Sequence, residues 1–80
     1  MTDSLLKELK KIEGIDVTFK SSSTEIEGFL TISDRFKVLY LSGYDHDATM
    51  KFADVKGISR RKREGEVEQD YIIKGKFVIT

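Results

Sequence analysis

The chain lacks cysteine, proline and tryptophan, carries one histidine, and has no net charge, 14 Lys and Arg standing against 14 Asp and Glu. Each absence excludes something. Without cysteine there is no disulfide framework and no thiolate metal site, and the redox compartment stays open. Zero net charge excludes a uniformly basic, histone-like nucleic-acid binder, though not a local basic patch. The longest uncharged apolar stretch, Val38 to Leu41, is far too short to span a bilayer, so no membrane partner is expected. The N-terminus has no apolar signal-peptide core, which makes an intracellular, cytoplasmic location the expectation. Hydrophobic residues at 39% and charged residues at 35% then suit a globular domain with a busy surface. All 80 residues read as a single domain, 1–80. One this small buries only about 60% of its unfolded surface and gains from a partner or a second copy.

Residues 2–13 read as one amphipathic helix. Leu5, Leu6, Leu9 and Ile12 share a face while Lys7, Glu8, Lys10, Lys11 and Glu13 meet water. Thr2, Asp3 or Ser4 can cap its start, and Gly14 suits its left-handed end. From residue 15 to 80 the period is two, and five or six strands are expected. Ile15, Val17 and Phe19 mark the first, and Ile26, Gly28, Leu30 and Ile32 the second. After a turn at Ser33-Asp34-Arg35, Phe36 to Leu41 is apolar on both faces and reads as the central strand. Gly43 to Asp47 is a loop, Thr49–Val55 and Val67–Ile73 form a long hairpin, and Lys76–Thr80 closes the sheet. The fold class is therefore mainly β with one N-terminal helix: a small, strongly bent antiparallel barrel. Closure, or pairing with neighbouring copies, removes its exposed edges, which points to a homo-oligomer.

Catalysis is not expected. One histidine and no cysteine leave few nucleophile–base sets, and no glycine spacing forms a phosphate-cradling loop. Asp45-His46-Asp47 invites a metal, but adjacent side chains rarely converge on one ion and no second cluster supplies the remaining ligands; no metal or cofactor is expected. The basic run Arg60-Arg61-Lys62-Arg63 can grip phosphates. It can equally pair with the acids that follow: a turn at Glu64-Gly65 sets Arg63 opposite Glu66 and Arg61 opposite Glu68.

The strongest constellation is distributed. Gly28 is followed by Leu30 two residues on, Asp34 six on and Phe36 eight on, with Leu39 and Leu41 continuing the pattern. Near the end comes Ile72-Ile73-Lys74-Gly75-Lys76-Phe77-Val78-Ile79. Gly28 allows sharp bending; Asp34 can satisfy turn amides and leave Phe36 at a loop tip; Lys74-Gly75 is a second tight connection carrying a cation. Side by side, the two loops would offer an aromatic face for a base and a cation for its phosphate. Each part also has an ordinary structural use: core for Phe36, curvature for Gly28 and Gly75, an ion pair for Lys74.

This pattern resembles the Sm/Lsm family, including its bacterial Hfq branch, over most of the chain, from Leu5 through Ile79. The family runs as an N-terminal helix and five bent strands, with a glycine–apolar–aspartate–aromatic motif and a later apolar–Arg–Gly motif. The resemblance implies an Sm-like (SH3-like) barrel forming a homo-oligomeric ring of roughly five to seven copies. It also implies strand-to-strand pairing of neighbours and binding of uridine- or adenosine-rich single-stranded RNA. Asp34, Phe36, Lys37, Lys74, Gly75 and Lys76 would then form the RNA site, with Phe36 stacking a base and Lys74 lining the pore. The chain departs from the family where Val38 replaces an asparagine and Lys74 an arginine, losing a planar fork. The stretch between Leu41 and Val67 also exceeds a short connection. A rival placement of the first motif runs from Asp47 to Phe52. Two other readings stand beside this one: an SH3-like barrel holding a peptide around Tyr40, Tyr44 and Tyr71, and a small structural or regulatory scaffold of viral type.

Overall fold

The structure, a computed structural model, describes residues 1–62 and 69–80. Helix α1 (Asp3–Lys11) starts where the hydroxyl of extended Thr2 accepts a hydrogen bond from the Leu5 amide at 3.2 Å. Asp3 in the first turn and Lys10 and Lys11 in the last complement the helix dipole. Ile12 is the C-cap, and Gly14 turns the chain at φ +87°. The helix is thus shorter than 2–13: its outer residues serve as caps. Leu9 and Ile12 are buried, and Leu5 and Leu6 pack against the same core.

The strands are β1 (Asp16–Lys20), β2 (Glu25–Ser33), β3 (Val38–Gly43), β4 (Asp47–Lys51), β5 (Val55–Lys62), β6 (Gln69–Gly75) and β7 (Val78–Ile79). They form one sheet in the order β5-β6-β1-β2-β3-β4-β7. Alternation along β1 to β4 sends Val17, Phe19, Leu30, Leu39, Leu41, Ala48 and Met50 to the helix-covered core, with Ile73 of β6 beside them. Where β2 meets β3, Gly28 pairs with Gly43. A Cβ on Gly28 would lie 2.5 Å from the Ser42 carbonyl oxygen and 2.9 Å from the Gly43 Cα, so only glycine permits this approach.

The pairing of β2 continues past the start of β1. Gly14 donates to the Leu30 carbonyl at 2.9 Å and Leu30 to the Ile15 carbonyl at 3.1 Å. Glu13 Oε2 accepts from the Ile32 amide at 2.7 Å, a side chain extending a backbone ladder. Glu13→Ala is expected to cost about 1 kcal/mol, read from the urea midpoint, with Glu13→Gln losing less because it keeps an acceptor.

The sheet differs from the expected closed antiparallel barrel in several respects. It is open: among the described residues no pairing joins β5 to β7. Two residues of β7 offer too short an edge for closure, and β5 carries Lys56, Arg60 and Arg61, charges that discourage edge pairing. It is also not wholly antiparallel, since β1 and β6 pair in parallel. The expected strand Thr49–Val55 breaks after Lys51 into a 3-10 turn, Phe52–Asp54, because buried Phe52 docks in the core and its amide donates to the Lys37 carbonyl at 2.9 Å. The hairpin is therefore β5 with β6. Phe36 lies in the β2–β3 turn, outside β3, and β3 buries one face only: Leu39 and Leu41 point inward while Tyr40 stays exposed. The closing segment shortens to Val78–Ile79 on β4. No helix of the described residues is long and apolar enough to cross a membrane.

Candidate nucleic-acid interface

Parallel strands β1 and β6 finish side by side, with Lys20 and Lys74 as Cα partners. Their predecessors Phe19 and Ile73 are fully buried in the core, so alternation puts both lysines on the other face of the sheet, where they are exposed beyond the buried pair Thr18 and Ile72. On β5 the register shifts: Val55 pairs with Gly75 and Gly57 with Lys74, leaving Lys56 as the extra, bulged residue. Bulges re-aim side chains, and Lys56 joins Lys20 and Lys74 around one cleft. Lys76, in the link from β6 to β7, is the fourth cation. At Gly75, the last residue of β6, a Cβ would collide with the Asp54 carbonyl oxygen and lie 2.8 Å from Met50 Sδ.

The cleft holds about 650 Å³, and Ser21, Ser22 and Phe77 complete most of its wall. Phe77 is half-buried and rests on Phe19, ring centroids 5.6 Å apart and planes tilted by 53°. Among the described residues no carboxylate side chain lines the cleft. Among the described residues the ion pairs are Lys10–Asp34 and Arg61–Asp70, so none of the four lysines is engaged. Glu25 sits across from Lys20 on β2 without forming an ion pair. Like charges held as cross-strand neighbours destabilise a sheet modestly; an anion bound between them would reverse that effect.

Of the six expected site residues, Lys74, Gly75 and Lys76 line this cleft, and Asp34, Phe36 and Lys37 do not. The latter three occupy the β2–β3 turn. The two loops are linked through the 3-10 turn, which touches Lys37 at Phe52 and Gly75 at Asp54, rather than abutting. Asp34 does not cap the turn: Ser33 Oγ accepts from the Phe36 amide at 3.2 Å, while Asp34 pairs with Lys10 at 3.1 Å and ties the turn to α1. Phe36 is 65% exposed, with the Arg35 guanidinium 5.5 Å from its ring centroid. That leaves an aromatic surface in solvent next to a cation. Lys37 takes a left-handed conformation, φ +57°, at the end of the turn.

A second groove, of about 460 Å³, runs between α1 and the β5–β6 hairpin. Its floor is Tyr71, with the Arg60 guanidinium 5.5 Å from the ring centroid. Arg61 faces Asp70, not Glu68, with their charged atoms 3.9 Å apart. The hairpin register therefore differs by two residues from the expectation. The expected Arg63–Glu66 pair and the turn at Glu64-Gly65 lie outside the described residues. The three tyrosines do not share a groove: Tyr71 lies on the helix side of the sheet, Tyr40 faces the other side three strands away, and Tyr44 is 98% exposed. Among the described residues no three His, Cys, Asp or Glu side chains gather as a metal site.

Lys20 and Lys56 were not among the expected site residues. The signal for Lys56 was the recurrence of Lys-Gly, at Lys56-Gly57 and again at Lys74-Gly75. Lys20 had no local signal, since only the parallel pairing brings it to Lys74. No family model, curated protein or solved structure matches the chain.

Proposed function

We propose that this chain is a non-catalytic, Sm-like binder of single-stranded RNA that works as a homo-oligomeric ring. The observation that carries the reading is the cleft of four lysines, none of them in an ion pair among the described residues, backed by Phe77. Cations that track a phosphate backbone next to an aromatic face are the common means of holding single strands. Phe36, exposed in the β2–β3 turn beside Arg35, supplies a second stacking surface. Lys37 adds charge to the same turn. Copies would pair through the free edges of β5 and β7, and repetition around the ring would multiply a weak single site.

Fluorescence anisotropy with labelled oligouridylate tests the reading. The parent should bind, and affinity should fall with salt. The double variant Phe36→Ala, Lys74→Ala should bind about tenfold more weakly or worse, given about 1–3 kcal/mol for one stacked base. Equal binding by parent and variant contradicts the site. Light scattering on the same samples should give a discrete oligomer, and a 9.2 kDa particle at all concentrations contradicts the ring.

A further inference from the structure

We propose that the cleft at the ends of β1 and β6 is a site for consecutive phosphate groups, read by charge alone, and that it takes free oligophosphate as well as a nucleic-acid backbone. The proposal rests on the cleft invoked for RNA binding but needs no base and no RNA. Three separate segments deliver the cations: the end of β1 brings Lys20, the β5 bulge Lys56, and the end of β6 with the link after it Lys74 and Lys76. A lysine ammonium is a compact charge with three rotatable donors and no acceptor, matched to oxyanions rather than to the edge of a base. Among the described residues the lining contains no Asn, Gln, Asp, Glu or Arg side chain, so the bidentate amide, carboxylate and guanidinium contacts that read a base edge are missing. What remains besides the lysines and Phe77 is the Ser21 and Ser22 hydroxyls, further groups able to donate to phosphate oxygens.

The shape fits a chain of phosphates better than one. Its volume of about 650 Å³ lies within the range of small-molecule sites, about 300–1,000 Å³, which leaves room for several phosphates. The flank next to Lys74 is open, because a Cβ on its partner Gly57 would meet nothing within 4 Å. Lys20 has Glu25 as its neighbour on β2 but like-charged Lys74 on β6, and a bound polyanion screens that second, unfavourable pairing. Ligand should therefore raise the melting temperature as well as bind.

The test is titration calorimetry of the full chain with inorganic tripolyphosphate at physiological salt, with a thermal melt alongside. The parent should bind saturably and melt higher with ligand. Lys56→Glu should weaken binding by about tenfold or more, the loss of one hydrogen bond to a charged group. Lys7→Glu, on the exposed face of α1, makes the same charge change away from the cleft and should stay within about twofold, because salt screens distant charges. Lys20→Gln, which removes a cation without adding an acid, should act in the same direction as Lys56→Glu, and circular dichroism checks that all three variants fold. Absence of saturable binding, or equal losses in Lys7→Glu and Lys56→Glu, overturns the proposal. An oligouridylate arm separates the two readings. RNA binding without tripolyphosphate binding overturns the charge-only site and leaves the RNA reading standing. Tripolyphosphate binding without RNA binding supports the charge-only site and defeats the RNA reading.

Discussion

Replacing Phe19 by alanine is expected to remove about 3–5 kcal/mol of stability, the usual cost of emptying a large buried aromatic site. Phe19 is fully buried, between Ile26 of β2 and Ile73 of β6 on its two flanking strands. Small domains are stable by about 5–15 kcal/mol in total, so one such loss removes a large share of that margin. The effect should reach the cleft even where folding survives. Phe77, which lines it, rests on the Phe19 ring, and without that backing the floor loosens. Urea midpoints read the first effect, and oligouridylate affinity under fully folding conditions reads the second. An unchanged midpoint contradicts the burial of Phe19 between β2 and β6.

The second large effect is expected at Gly75. An alanine there drives its Cβ into the Asp54 carbonyl and the Met50 sulfur, and the carbonyl belongs to backbone that cannot swing aside. Overpacking of this kind costs about 1–3 kcal/mol. It also forces the end of β6 away from the 3-10 turn, which moves Lys74 and Lys76 relative to Lys56. Gly57 is the matched control, since nothing lies within 4 Å of its added Cβ and its φ is not left-handed. Gly57→Ala should be close to neutral, or stabilising by up to about 1 kcal/mol through the unfolded chain. Equal destabilisation by the two alanines contradicts the close approach at Gly75.

The sequence made some elements legible for local reasons. Helix α1 was readable because its leucines share one stripe and a capping threonine precedes it. Strand β2 was readable because Ile26, Gly28, Leu30 and Ile32 alternate strictly with exposed neighbours. The end of β4 was hidden, because Ala48, Met50 and Phe52 keep the strand period even though Phe52 already belongs to the 3-10 turn. The parallel β1–β6 pair was hidden for a different reason: long-range pairing leaves no mark on either strand alone. The same division holds at the site. Lys74-Gly75-Lys76 stood out as a tight connection with cations, whereas Lys20 resembles any solvated lysine until β6 lies beside it. Asp34 looked like a turn cap because aspartates often are; Ser33 takes that role, and Lys10 of α1 claims the carboxylate.

The most direct test of the four-lysine cleft is amide chemical-shift mapping during titration with a short oligouridylate. The largest shifts are expected on Lys20 to Ser22, on Lys56 and Gly57, and on Lys74 to Phe77, with smaller shifts at Phe36 and Lys37. Shifts confined to Arg60, Arg61 and Tyr71 would instead place the ligand on the groove beside α1. That result, or no shifts at all, would contradict the assignment of RNA to this cleft.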